Sequence, residues 1–253
     1  MFLPADHVIE NKEEFLRAIK LGDALLQTHP ELIVQIGVKP TYPATNFGYI
    51  KMSQEKLMDG AFRVDVFKEK PDLETATAYL SSWQYLWNAG IFMARVGTFL
   101  NMYKQHLPSI YAGLERIQQT FDTEQYQETL EKEYGAFDKI SIDYGIIEKE
   151  KNIAVIPTNN LGWTDIGNWK ELRDVQSHER DASGNVIQGK VLTIDTKNTL
   201  VYSSGKRLVA TIGLEDMIVV DTDDCILILP AKDNARVKDI VDEVKKRGMT
   251  DYL

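Results

Sequence analysis

The sequence predicts an α/β protein, a Rossmann-like sheet followed by a β-helix-like unit and a closing helix. Three observations point to it. Short apolar, β-branched runs alternate with helical periods over the first 180 residues. After about Arg180 the composition changes to brief β segments separated by Gly, Asn, Asp and Ser turns. Asn234 to Arg247 then places Val237, Ile240, Val241 and Val244 on one helical face. Two domains are expected, 1–180 and 181–253.

Composition narrows the function classes. The chain has 253 residues, 43% of them hydrophobic, which suffices for one large core with a small appendix. The net charge is -9, and no Lys/Arg run or basic-aromatic stripe stands out, so no nucleic-acid polymer is expected as partner. An acidic protein that handles phosphates needs a divalent metal or a few placed lysines. The single cysteine, Cys225, excludes an internal disulfide framework and suits a reducing, cytoplasmic compartment. It lies in an apolar run and reads as an inert core residue. No apolar stretch reaches roughly 18 residues, so no membrane span is expected, and the N-terminus lacks a signal-peptide pattern.

In chain order, Phe2 and Leu3 read as the end of a buried strand stopped by Pro4. Asp6-His7 follow on a turn, and Asn11 is the N-cap of a helix whose period runs through Phe15, Leu16, Ile19 and Leu26. Leu32 to Val38 is a buried strand. Thr41 to Ile50 is a loop rich in hydroxyls, aromatics and turn formers, suited to a polar ligand held near backbone at Gly48 or simply to a connection. Phe62 to Phe67 alternates as a half-buried strand. Glu69-Lys70 follows it, either a surface pair or one acceptor and one cation for a phosphorylated sugar. Trp87 to Met93 is a strand in which Asn88 either satisfies neighbouring backbone or reads sugar hydroxyls.

Val96 to about Glu133 is helical, with breaks near Pro108 and Phe121-Asp122, and Ser141 to Ile147 is a short turn. Ile153 to Ile156 is a buried strand. It leads into Leu161-Gly-Trp-Thr-Asp-Ile-Gly-Asn-Trp169, where Asp165 lies between two tryptophans and two glycines before a helix start. Asp165 is either the N-cap of that helix or a ligand-facing carboxylate. Asp6 occupies the same strand-to-helix setting. Two such aspartates can converge at the edge of one parallel sheet, the usual protein share of a Mg²⁺ site. A hydrolase with paired carboxylates is the competing reading on spacing alone.

Five segments occur in order: Leu3-Pro-Ala-Asp-His7, Tyr42-Pro-Ala-Thr-Asn-Phe-Gly-Tyr-Ile50, Phe67-Lys-Glu-Lys-Pro71, Trp87-Asn-Ala-Gly-Ile-Phe92 and Gly162-Trp-Thr-Asp-Ile-Gly-Asn-Trp169. On these the chain resembles the sugar-1-phosphate nucleotidylyltransferases, and within them the mannose-1-phosphate guanylyltransferases. The resemblance runs over essentially the whole chain.

It implies a nucleotidyltransferase in which mannose 1-phosphate attacks the α-phosphorus of GTP, giving GDP-mannose and pyrophosphate. By resemblance, Asp6 and Asp165 are Mg²⁺ ligands. Lys70 meets the sugar phosphate, Glu69 and Asn88 bind sugar hydroxyls, and the backbone of Gly48 lines the sugar site. Asp6, Asp165 and Lys70 would be the catalytic groups. The β-rich tail would join a homodimer, although Ile218 to Val220 and Ile226 to Leu229 serve a monomer's core equally well.

One departure qualifies the resemblance. The family begins with a Gly-Gly-x-Gly-[Thr/Ser]-Arg loop that holds the triphosphate, and the 253 residues contain no Gly-Gly pair. The match starts inside the family pattern, without the first strands of the sheet and most of the base-binding site. The expectation is a truncated chain, weak or inactive as a transferase alone, with apolar surface left uncovered. Its alternatives are a non-catalytic sugar-phosphate-binding subunit, one half of a split enzyme, or a sister nucleotidylyltransferase.

Overall fold

The computed structural model describes residues 1–252. The chain forms two compact units, one from Met1–Ala5 and Ile9–Trp163, the other from Asp6–Val8 and the chain from Thr164 onward.

The first unit is built on five strands that close on themselves in the order β2-β5-β3-β4-β6. These are β2 (Ile33–Val38), β3 (Tyr49–Met58), β4 (Ala61–Lys68), β5 (Tyr85–Ala94) and β6 (Ile153–Thr158). Only β2 and β6 pair in parallel, from Ile33 opposite Ile153 to Val38 opposite Thr158. The other pairings are antiparallel. The α/β class stands, but the expected single parallel sheet gives way to this mixed ring. The reason is local: Asp59-Gly60, with Gly60 at φ +82°, is a two-residue hairpin turn that folds β3 directly onto β4. Tyr49 and Ile50, expected to end the loop, begin the ten-residue strand β3.

Helix α1 (Lys12–Thr28) starts where Asn11 accepts the Glu14 N–H at 3.1 Å, with Glu13 and Glu14 favourable in the first turn. It buries Ala18, Gly22, Leu25 and Leu26, packing against Val34, Ile36, Ile91, Met93 and Ile156 of the ring. Burying a leucine such as Leu25 contributes about 1.5–3 kcal/mol. The other face of the ring holds Ile33, Phe67, Phe92, Ile153 and Val155. It is covered by α3 (Val96–His106) and by Asp143–Ile147, a single π-helical turn with Gly145, Ile146 and Ile147 buried. Helices α2 (Leu73–Ser82), α4 (Pro108–Gln118) and α5 (Tyr126–Gly135) complete the unit. Phe2 does not end a buried strand. It makes one antiparallel bridge to Phe92, and its side chain and that of Leu3 stay about half exposed.

In the second unit the start of β1 (His7–Ile9) runs beside the end of β7 (Trp163–Asp165). Helix α6 (Trp169–Val175) follows. Beyond it β8 (Val186–Gln188), β10 (Leu200–Ser203) and β12 (Met217–Asp221) stack in parallel, so that Val186, Leu200 and Ile218 form one fully buried column. β13 (Ile226–Pro230) adds antiparallel to β12, and β9 (Val191–Ile194) pairs with β11 (Val209–Ile212) in parallel. The corner between coils is held by Asn185. Its Nδ2 donates to the Thr196 carbonyl at 2.7 Å, and its Oδ1 accepts the Thr199 N–H at 3.0 Å. Helix α7 (Val237–Lys246) begins three residues later than its amphipathic pattern suggests, because Ala231–Arg236 forms a 3₁₀ segment. Cys225 is exposed, not a core residue, since it sits on the turn before β13 beside the Thr222 hydroxyl. No helix among the described residues is long and apolar enough to cross a membrane.

Candidate functional site

In the second unit, Asp6, His7 and Asp165 each offer a ligand atom, and these atoms all lie within 4.8 Å of one another. Asp6 does not end a strand that feeds a helix. It precedes the short strand β1, and its carbonyl accepts the Ile166 N–H at 3.2 Å, which pins the two segments together. The capping role that competed for Asp165 is taken by Asn168, whose side chain accepts the Glu171 N–H at 3.0 Å. Glu171 in turn accepts the Gly167 N–H at 2.9 Å. The helix start is therefore satisfied without the Asp165 carboxylate. Nε2 of His7 lies 3.8 Å from Asp165 Oδ1 and 3.9 Å from Asp6 Oδ1. Two carboxylates and an imidazole so close form a donor set that fits a divalent cation. Apart from its place beside Asp6, no spacing along the chain marks His7 as a donor.

The first unit holds a second cluster, in which Gly48, Glu69, Lys70 and Asn88 come together. The Asn88 N–H donates to the Gly48 carbonyl at 2.8 Å. A Cβ on Gly48 would fall on Glu69 Oε2 and within 3.2 Å of Asn88 Cβ, so any larger residue here would have to displace the Glu69 carboxylate. Asn88 stands opposite Gly37 beside an irregularity in the β2–β5 ladder, with Gly90 at φ +67°. Such irregularities re-aim side chains. Lys70 adopts the left-handed conformation at φ 44°, its N–H bonded to the Phe47 carbonyl. Its Nζ lies 3.2 Å from Glu69 Oε1. Phe47, Tyr42 and Trp87 brace the loop through ring contacts of 4.8–6.5 Å between centroids.

The electrostatics of this cluster are unusual. Glu69 is 8% exposed, and its Oε2 has no hydrogen-bond partner among the described residues. Burial, reinforced by the nearby Asp143 charge, pushes its carboxyl above the ordinary glutamate range despite the Lys70 ammonium. Burial likewise raises the Asp143 carboxyl against the hydrogen bond from Asn88. Bonding to Glu69 raises the Lys70 ammonium, which keeps it charged. The Glu69 N–H is held by Glu148 Oε1 at 3.0 Å. Asp143 and Glu148 were not recognisable from sequence. Both lie in or beside a stretch whose pattern reads only as a turn, and no feature of that pattern marks their direction.

Residues 1–182 match the family described as Nucleotidyl transferase, and residues 189–244 match the MannoseP isomerase/GMP-like beta-helix domain. The chain belongs to the nucleotidyl transferase family. Among its relatives, the mannose-1-phosphate guanylyltransferase of Escherichia coli K12 is 33% identical over 256 residues, covering 100% of this chain and 52% of that protein. The xanthan biosynthesis protein XanB of Xanthomonas campestris pv. campestris is 36% identical over 252 residues, covering 99% and 52%. The crystal structure of a mannose-1-phosphate geranyltransferase from Thermus thermophilus superposes with a TM-score of 0.75 at 31% identity, over 96% of this chain and 68% of that one. The chain spans about half the length of the curated relatives it matches.

Proposed function

We propose that this chain carries the sugar-phosphate-binding and metal-binding groups of a mannose-1-phosphate guanylyltransferase. The observation that carries the reading is the convergence of Asp165 on the adjacent Asp6 and His7, far away in sequence, in a chain whose relatives bear that name. Asp6 and Asp165 would hold Mg²⁺, with His7 as a further donor. When bound, the cation neutralises phosphate charge during displacement at phosphorus. Lys70 would hold the phosphate of mannose 1-phosphate as a point charge, and the Glu69 carboxylate that fixes it limits where that charge can sit. Glu69 Oε2 and the Asn88 amide would take sugar hydroxyls. Together these groups would orient the sugar phosphate for attack on the α-phosphorus of GTP, so no protein nucleophile is required.

The substrates, the Mg²⁺ preference and assembly into a homodimer all belong to this proposal, as do the 1–180 and 181–253 domain limits and a cytoplasmic setting. A second reading is binding of the sugar phosphate without turnover. One titration series addresses both. Mannose 1-phosphate is titrated calorimetrically with Mg²⁺ present, and pyrophosphate release is then followed on adding GTP. Mannose 1-phosphate binding is expected in either case, and pyrophosphate release selects the catalytic reading. Failure to bind mannose 1-phosphate overturns the proposal.

A further inference from the structure

The Asn88 carboxamide is gripped from two sides. Its Oδ1 accepts the Gly90 N–H at 3.0 Å, and its Nδ2 donates to Asp143 Oδ1 at 3.0 Å. If the amide turned over, Nδ2 would face an N–H and Oδ1 would face a carboxylate, so two attractions would become two repulsions. Gly90 supplies a neutral partner from the same strand. Asp143 supplies an anionic one from 55 residues away, and hydrogen bonds to charged acceptors are the stronger kind. One Nδ2 hydrogen is left over. Glu69 Oε2, buried and without a partner among the described residues, lies beside Gly48, which the Asn88 Cβ also approaches. One directed donor beside one directed acceptor is the complement of a hydroxyl, which gives one hydrogen bond and takes another.

We propose that Asp143 is a positioning residue that fixes the Asn88 amide with Nδ2 toward the substrate, and so makes the cluster select a sugar hydroxyl rather than a phosphate alone. This inference rests on the sugar-phosphate reading of the Glu69–Lys70–Asn88 cluster. Asp143 acts through Asn88, and that has a signature. Its removal should weaken binding only while Asn88 is present, since the loss of its charge by itself merely favours an ionised Glu69.

The test is calorimetric titration of mannose 1-phosphate into wild type, Asp143→Ser, Asn88→Ala, the double variant and Asp143→Asn, with melting temperatures recorded for each. Asp143→Ser is expected to weaken binding by about ten-fold, the effect of losing a charge-assisted bond. The double variant should bind no worse than Asn88→Ala alone. Asp143→Asn keeps a carbonyl oxygen for Asn88 and should stay within about three-fold of wild type. Unchanged binding in Asp143→Ser, additive losses in the double variant, or a ten-fold loss in Asp143→Asn each overturn the inference. If Asp143→Ser does not fold, Asp143→Asn decides alone, because positioning demands that it bind. A wild type that does not bind mannose 1-phosphate sinks the underlying reading, and this inference with it. A wild type that binds while the variants behave contrary to expectation sinks this inference only.

Discussion

Nε2 of His7 lies 3.8 Å from Asp165 Oδ1, although nearly the whole first unit separates the two residues in sequence. An imidazole between two carboxylates changes which cation the cluster favours. Magnesium prefers oxygen donors, whereas Zn²⁺ and Co²⁺ gain from nitrogen. His7→Ala should therefore weaken Zn²⁺ and Co²⁺ binding by about ten-fold and Mg²⁺ binding by much less. Asp165→Asn should weaken all three. Direct titration of each metal into the protein measures this. Equal losses across the metals in His7→Ala would remove the imidazole from the donor set.

Glu69 sets stability against binding. A carboxyl whose pKa is raised by the fold binds its proton more tightly folded than unfolded. Its stabilising contribution is complete below the ordinary glutamate range and is lost as the pH rises through the raised value. Glu69→Gln stays neutral throughout. The variant should melt higher than wild type at about pH 7.5, and the gap should close at about pH 4, where wild type is protonated too. Mannose 1-phosphate affinity should fall in the same variant. A thermal scan at the two pH values checks the sign, and a variant that melts lower at neutral pH contradicts it.

Gly48→Ala probes the close approach beneath the cluster. The added methyl would fall on Glu69 Oε2, whose other oxygen is tied to Lys70. Overpacking of this kind costs about 1–3 kcal/mol. We expect a lower melting temperature and about ten-fold weaker mannose 1-phosphate binding, because the acceptor is displaced. Calorimetry that finds wild-type affinity would show that Glu69 does not touch the sugar.

Ile218→Ala tests the β-helix column. Ile218 is fully buried between β10 and β13. Removing its side chain should cost about 2–5 kcal/mol. Urea unfolding followed by the fluorescence of Trp169, which packs on the same cluster, reads it out. A loss below about 0.5 kcal/mol, the usual size for a surface substitution, would place the column outside the stabilising core.

Much of the fold was legible because it rests on local signals. The helical period after Asn11, the apolar runs at Ile33 and Ile153, and the turn-punctuated β segments after Arg180 all state their structure within a few residues. The errors lay where a local signal competed with a tertiary one. Tyr49 and Ile50 read as the end of a loop, yet the Asp59-Gly60 turn and the β4 ladder make them the start of β3. Cys225 has apolar neighbours in sequence, but the turn at Thr222 lifts it to the surface.

Residue types and short spacings were enough to specify the alternation of helix and strand, and five motifs in order carried the resemblance to the family and to the polar residues of its site. Which groups face one another was left to the folded chain. Folding placed His7 between the two aspartates and aimed Asp143 at the Asn88 amide. Direction across long loops is set by strand pairing, bulges and the requirement that buried polar groups find partners, and none of these acts within a short window of residues.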